Sequence, residues 1–140
     1  MPLLDAVATY LAGAGLGLTV GTNLFKSRLP DSPDLAVAIF EWGGMQNEKT
    51  FANAPGMAIL ERPTFQVLVR APRENVTPNA YSTARALAES IYRKLDGYSG
   101  TLSGTAYKAI FCESNPYYLK TDDNLRPHFG IDFEAIKQLG

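Results

Sequence analysis

Apolar residues recur along this 140-residue chain at two spacings, and each change of spacing marks a change of element. Leu3, Leu4, Val7 and Leu11 lie at helical intervals, which predicts a short amphipathic helix over residues 3–12, stopped by Gly13-Ala14-Gly15. Leu18 to Phe25 is apolar with interspersed threonine and predicts a first strand, and Lys26 to Pro33, carrying Pro30, Asp31 and Pro33, predicts a turn. From Leu35 to Trp42 both alternating sets are apolar, as in a strand covered on its two faces. Gly43 to Gly56 reads as a long glycine-rich loop, functional or mobile. Thr64 to Arg70 alternates cleanly, with Phe65, Val67 and Val69 on one side and Thr64, Gln66, Leu68 and Arg70 on the other.

Thr77 before Pro78 has the form of an N-cap followed by the first helical position. Ala80, Ala84, Leu87, Ile91 and Leu95 then make one apolar stripe, Glu89 and Arg93 can pair across a turn, and Gly97 suits a left-handed cap. A short strand is expected at Tyr98–Leu102, a longer one at Thr105–Glu113, an irregular stretch at Asn115–Pro127, and a final strand in which Phe129, Ile131, Phe133 and Ala135 alternate with Gly130, Asp132 and Glu134 up to Lys137. The order predicts an α+β fold: a mainly antiparallel twisted sheet, with a long central helix and a short N-terminal helix packed on it. No period or change of composition divides the chain, so residues 1–140 are expected to form one domain.

Composition narrows the function more than the fold. Charged residues are 19% of the chain and hydrophobic ones 46%, an ordinary globular balance. The net charge of −1 draws the protein to neither phosphate backbones nor anionic lipid. The apolar stretch Leu3–Val20 is broken by Asp5 and three glycines, a poor membrane span or signal peptide. With one cysteine, Cys112, and one histidine, His128, neither an intramolecular disulfide nor a four-ligand Cys/His zinc site can form.

Candidate chemistry is sparse. Gly13, Gly15, Gly17 and Gly21 miss the spacing of a dinucleotide fingerprint and read as a flexible connection. Cys112 ends the run Ala109-Ile110-Phe111 and reads as core, and His128 has no nucleophile motif to serve. Asp31, Asp34, Asp122, Asp123, Asp132 and Glu134 lack any recognised cation-loop spacing, so solvated charges are expected, with no metal and no cofactor. Arg62, Arg70 and Arg73 cluster around one strand and suit salt bridges or an intersubunit contact. Trp42, Met45, Phe51, Met57, Tyr117 and Tyr118 fall in or beside the two irregular stretches, where they serve either a protein contact or a cap on the core.

Glu61-Arg62-Pro63-Thr64-Phe65-Gln66-Val67-Leu68-Val69-Arg70, the following helix ending in Ile91-Tyr92-Arg93-Lys94-Leu95, and the late strand Phe129-Gly130-Ile131-Asp132-Phe133 form a connected pattern. It resembles the tail-terminator and minor-capsid (tail completion) proteins of long-tailed bacteriophages, and with the N-terminal helix the resemblance spans nearly the whole chain. It implies a structural virion protein of the tail and neck rather than an enzyme, assembled in the host cytoplasm. Its implied partners are its own copies in a hexameric ring, the tail-tube protein and the head–tail connector, with DNA passing through unbound and no membrane. Loop position makes Trp42, Met45, Glu48, Lys49 and Phe51 candidates for an axial face, and Arg62, Arg70 and Arg73 for a lateral or luminal one, with Tyr117 and Tyr118 as further contacts. The alternatives are a ligand-binding or hydrolytic α+β domain, with His128, Asp132 and Arg70 in a pocket between the second helix and the sheet, or another head-completion protein of the neck.

Overall fold

Six strands build one continuous sheet in the computed structural model, which describes residues 3–48 and 60–138. The elements are α1 (Leu3–Ala12), β1 (Leu24–Lys26), β2 (Ala36–Glu48), β3 (Leu60–Arg70), α2 (Ala80–Leu95), β4 (Tyr98–Leu102), β5 (Thr105–Thr121) and β6 (Pro127–Gln138). The spatial order is β1-β2-β3-β6-β5-β4. β1 runs parallel to β2 and every other pairing is antiparallel. The sheet is therefore mixed, and the expectation of a sheet organised around a long central helix is corrected. α2 is a sixteen-residue helix laid on one face, and the strands carry most of the architecture.

Both helices lie on the same face, where Val37 and Ile39, Phe65, Val67 and Val69, and Phe129, Ile131 and Phe133 join Val7, Leu11, Ala84, Ile91 and Leu95 in one buried cluster. The buried stripe of α2 is Ala80, Ala84, Ala88, Ile91 and Leu95; Leu87 packs at its margin. Three small residues on that stripe let the helix approach the large rings of β3 and β6, where Phe65 and Phe133 stack at 5.1 Å. The helix begins at Ala80 rather than Pro78, because the amides of Val76 and Thr77 turn back onto the Arg73 carbonyl and Asn79 adopts a left-handed conformation. On its surface Glu89 pairs with Arg85, at 3.1 Å, and not with Arg93. It ends as its sequence requires, with Gly97 at φ +82° donating to the Ile110 carbonyl.

The other departures concern strand ends. The first strand shrinks to three residues because Thr19 to Asn23 forms its own turn, in which the Thr19 amide donates to the Asn23 side chain and the Asn23 and Leu24 amides donate to the Thr19 carbonyl. β2 continues through Gly43-Gly44 to Glu48, so the first half of the predicted long loop is strand; Lys49, Phe51 and Met57 lie outside the described residues. The register against β3 slips between Trp42 and Met45, so the extra residue is absorbed at the two glycines, opposite a segment in which Pro63 has no N–H to donate.

β5 extends to Thr121, so Tyr117 and Tyr118 belong to a strand and not to an irregular segment. Pro116 signals a break but sits where the register slips between Ser114 and Tyr117. Further slips fall at Tyr107/Ala109, Cys112/Ser114 and Tyr118/Lys120, and fifteen residues of β5 face eleven of β6. Repeated bulges on one strand coil it strongly. The curl carries β4 round to α1, which touches β1 and β2 at the opposite edge as well. Tyr10 of α1 packs on Tyr98 of β4, ring centroids 4.7 Å apart, and its hydroxyl donates to the Lys94 carbonyl at 3.0 Å.

Candidate assembly surfaces

Alternation on β3 and β6 sends Thr64, Gln66, Arg70, His128, Asp132 and Glu134 to the face away from the helices, and there they form polar clusters. The largest is centred on Arg126, whose side chain is only 5% exposed. Its Nη2 donates to Asp31 Oδ1 at 2.9 Å, Nη1 to the Asp31 carbonyl at 2.8 Å and to Asp34 Oδ1 at 3.2 Å, and Nε to Asp122 Oδ2 at 2.9 Å. Arg70 donates from Nε to the Asp34 carbonyl and from Nη2 to that of Pro33, at 2.8 and 2.6 Å, and Arg73 Nε lies 3.3 Å from Asp34 Oδ2. Three guanidinium groups thus clasp the segment Asp31–Asp34 onto the end of the sheet. The β5–β6 turn supplies the fourth side of the clasp, since Asp122 Oδ1 accepts the amides of Asn124 and Arg126.

Burial alone would raise Asp122, but hydrogen bonds from His128 and from the amide and guanidinium of Arg126 outweigh it and hold the carboxyl far below its ordinary value. His128 Nε2 is 3.1 Å from Asp122 Oδ2, yet burial, helped by Lys120 and Arg70, holds the imidazole below its ordinary value. Arg126 keeps its charge because Asp31 and Asp122 more than offset its desolvation. These aspartates compensate arginine; among the described residues no group of acidic, His and Cys side chains is arranged to hold a metal ion.

Further along the same face Asp132 Oδ2 accepts the Tyr117 hydroxyl at 3.0 Å and the Ser114 hydroxyl at 3.2 Å, while Gln66 Nε2 donates to the Tyr117 oxygen at 3.1 Å. Gly130 makes room for this arrangement, because a Cβ there would stand 3.0 Å from the Tyr117 ring and 3.1 Å from Leu119. Arg62 Nη1 lies 3.8 Å from the buried Glu134 Oε1. Burial, then Glu134 and Asp132, raise the neighbouring Glu113. Cys112 is half-buried, its thiol pushed up to about 11 chiefly by burial, so it is not poised as a nucleophile.

Exposed apolar residues gather at the same end of the molecule. Val76, Tyr81, Tyr118 and Leu125 are each more than two-fifths exposed. The Tyr81 and Tyr118 rings are 5.9 Å apart and both pack on Phe129, and the Glu74 amide donates to the Leu125 carbonyl at 2.9 Å, which ties the turn before α2 to the β5–β6 turn. A shallow depression of about 280 Å³ beside this crest is lined by Glu74, Thr77, Asn79, Ala80, Tyr81 and Ser82. It shares no residue with the expected ligand trio. His128, Asp132 and Arg70 lie on the face opposite α2, and side chains fill the space between α2 and the sheet.

A profile of bacteriophage tail terminator proteins matches residues 10–139. The chain belongs to that family. Among solved structures, a chain of the virion of a native gene transfer agent particle superposes with a TM-score of 0.65 at 18% identity, over 98% of this chain and 95% of that one. A second solved chain does so with a TM-score of 0.53 at 13% identity, over 97% and 90%. These likenesses establish a shared fold. No curated protein matches the sequence.

For a tail terminator, a structural protein of the phage tail, the relevant sites are contact surfaces, and the expected contacts separate into groups. Trp42, Met45 and Glu48 stand on β2 beyond its pairing with β1, in register with Thr64, Arg62 and Leu60, while Lys49 and Phe51 lie outside the described residues. Arg70 and Arg73 meet in the clasp, and Arg62 lies at the far end of β3. Tyr117 joins Asp132 on the face away from the helices, whereas Tyr118 packs on Phe129 and joins the exposed crest. Sequence reasoning missed Arg126 altogether. Its one signal was the spacing Asp122…Arg126 around a turn, which looks the same for an ordinary solvated pair.

Proposed function

We propose that the chain is a tail terminator in the full sense: a subunit of a hexameric ring that caps the head-proximal end of the tail tube, stops its growth and offers the head connector a docking surface. The family match over residues 10–139 carries this reading. The likeness in fold to a chain of a gene transfer agent virion, across nearly all of both chains, supports a place in the virion at the tail and neck. A ring subunit needs two different surfaces that meet by rotation, and long strands with clasped ends provide a body rigid enough to hold them at a fixed angle. The end of β2 around Trp42, Met45 and Glu48, with Lys49 and Phe51, is the proposed axial contact to the tube, and the opposite end of the sheet carries the lateral contacts. Near-neutral charge suits a channel through which DNA slides without being held.

Native mass spectrometry with negative-stain imaging, from low to high micromolar concentration, tests this directly. The expected species is a closed ring of about 90 kDa, six copies of the 15.2 kDa chain, with a central hole. Added to polymerising tube subunits, the ring should shorten the tubes in proportion to its concentration. A monomer that leaves tube length unchanged would overturn the reading.

A further inference from the structure

We propose that the crest of Val76, Tyr81, Tyr118 and Leu125 is one half of the contact between neighbouring copies, and that the surface of the next copy around Val20 and Arg28 is the other half. The inference rests on the ring reading and names the surfaces that would close it.

Leu125 is the most telling residue. It sits at φ +61° in the β5–β6 turn, a left-handed conformation that suits glycine or asparagine and strains leucine. It is also 45% exposed, so the core does not require it. A strained, exposed leucine beside three other exposed apolar side chains serves neither the turn nor the core, and points to a contact outside the subunit. Two of the other three are tyrosines, a residue type enriched at interfaces.

The topology indicates what covers the crest. β4 pairs with β5 only as far as Ile110, so among the described residues the second half of β5 has no partner on that side, and Tyr118 lies on it. β1 forms the opposite edge of the sheet, sealed by the Thr19–Asn23 turn through the Gly21 amide donating to the Leu24 carbonyl. That turn presents Val20, 42% exposed, and just past the other end of β1 Arg28 is exposed with its guanidinium 5.2 Å above the Phe25 ring. One edge therefore carries a broad apolar surface and the other a smaller apolar knob. Charge follows the same division. Among the described residues, setting aside charges held in ion pairs (Arg73 with Asp34, Asp31 with Arg126, Lys26 with Asp5), Glu74, Asp123 and Lys120 leave the crest one unit negative and Arg28 leaves the other edge one unit positive. Complementary surfaces on opposite edges of one subunit are what a head-to-tail contact between identical copies requires.

The test mixes two variants. One carries Tyr118→Glu and Leu125→Glu, the other Val20→Glu and Arg28→Glu, and native mass spectrometry follows each alone and in equimolar mixture. Each should lose the ring and remain monomeric, and the mixture should give a one-to-one dimer, because a single intact contact is restored. Rings formed by either variant alone would overturn this contact while leaving the ring reading standing; a mixture that stays monomeric would overturn the pairing of the two surfaces. A wild-type chain that is monomeric throughout would remove the ring reading and this contact with it. Leu125→Asn separates contact from folding: it should melt no lower than the wild type, since asparagine tolerates the left-handed turn, yet weaken ring assembly about tenfold or more. Unchanged assembly in that variant would count against the crest.

Discussion

Arg126 concentrates a network in which each partner would be uncomfortable alone. Its guanidinium is almost wholly buried and is kept charged by carboxylates from two segments of chain that are distant in sequence. Arg126→Ala would leave Asp34 and Asp122 facing one another without their shared cation. The cost expected is about 2–3 kcal/mol, below the range of about 3–5 for a fully buried pair because Asp31 reaches solvent. Urea titration checks it, and a loss under about 0.5 kcal/mol would mean that Arg70 and Arg73 hold the clasp unaided. The same network predicts the acid response. His128 titrates below its ordinary 6.5 in the folded chain, so the unfolded chain binds the proton first and stability falls as pH drops through that value. Asp122 is depressed below 3.8, so its contribution is present at neutral pH and drains away below about pH 4. Melting temperatures between pH 7.5 and 3 should fall in two stages, and His128→Asn should flatten the first and, because the His128 hydrogen bond helps hold Asp122 low, shrink the second as well.

Turns decide which elements end where their sequences suggest. Ser103-Gly104 joins β4 to β5 with φ +50° and +84°, the two positive values of a tight hairpin turn whose twist matches that of the strands. Ser103→Asn should therefore stabilise the fold by about 0.5 kcal/mol, and Gly104→Ala should destabilise it by about 1–2 kcal/mol, both read from denaturant midpoints. The strand Tyr98–Leu102, α1 and the body of α2 were legible because the signals governing them are local: spacing and, for α2, the C-terminal glycine. Strand length was not. Gly43-Gly44 and Pro116 look like breaks, yet each falls where the register slips, and whether a bulge can absorb a residue depends on the partner strand and not on the residue itself. Tyr117 and Tyr118 were singled out from composition, but their opposite fates, one hydrogen-bonded to Asp132 and one exposed, follow from alternation on a strand that composition concealed. The clasp was hidden for a similar reason. Arg126 and Asp31 are ninety-five positions apart and meet only because β6 places its first residues beside the turn leading into β2.

The curl of the whole sheet has a mechanical consequence. Four register slips along β5 bend it until the β4 edge reaches the helix that rests on β1, where Tyr10 packs on Tyr98 and the Tyr10 hydroxyl donates to the Lys94 carbonyl. A sheet closed in this way resists hinging between its edges, and a subunit whose two edges face different neighbours would otherwise transmit any flexing into the angle between copies. Tyr10→Ala should remove an aromatic pair and a hydrogen bond, about 1–2 kcal/mol in all, and lower the melting temperature by about 3–6 °C. Tyr10→Phe keeps the ring and should lose less than half of that. Hydrogen exchange locates the effect: in Tyr10→Ala the amides of α1 and of Tyr98–Leu102 should lose protection together, while those of β3 and β6, buried between neighbours on both sides, should change only as far as global stability does. Faster exchange confined to α1, with β4 unaffected, would show that the curl is held by the bulged strand itself and that the tyrosine pair merely rests on it.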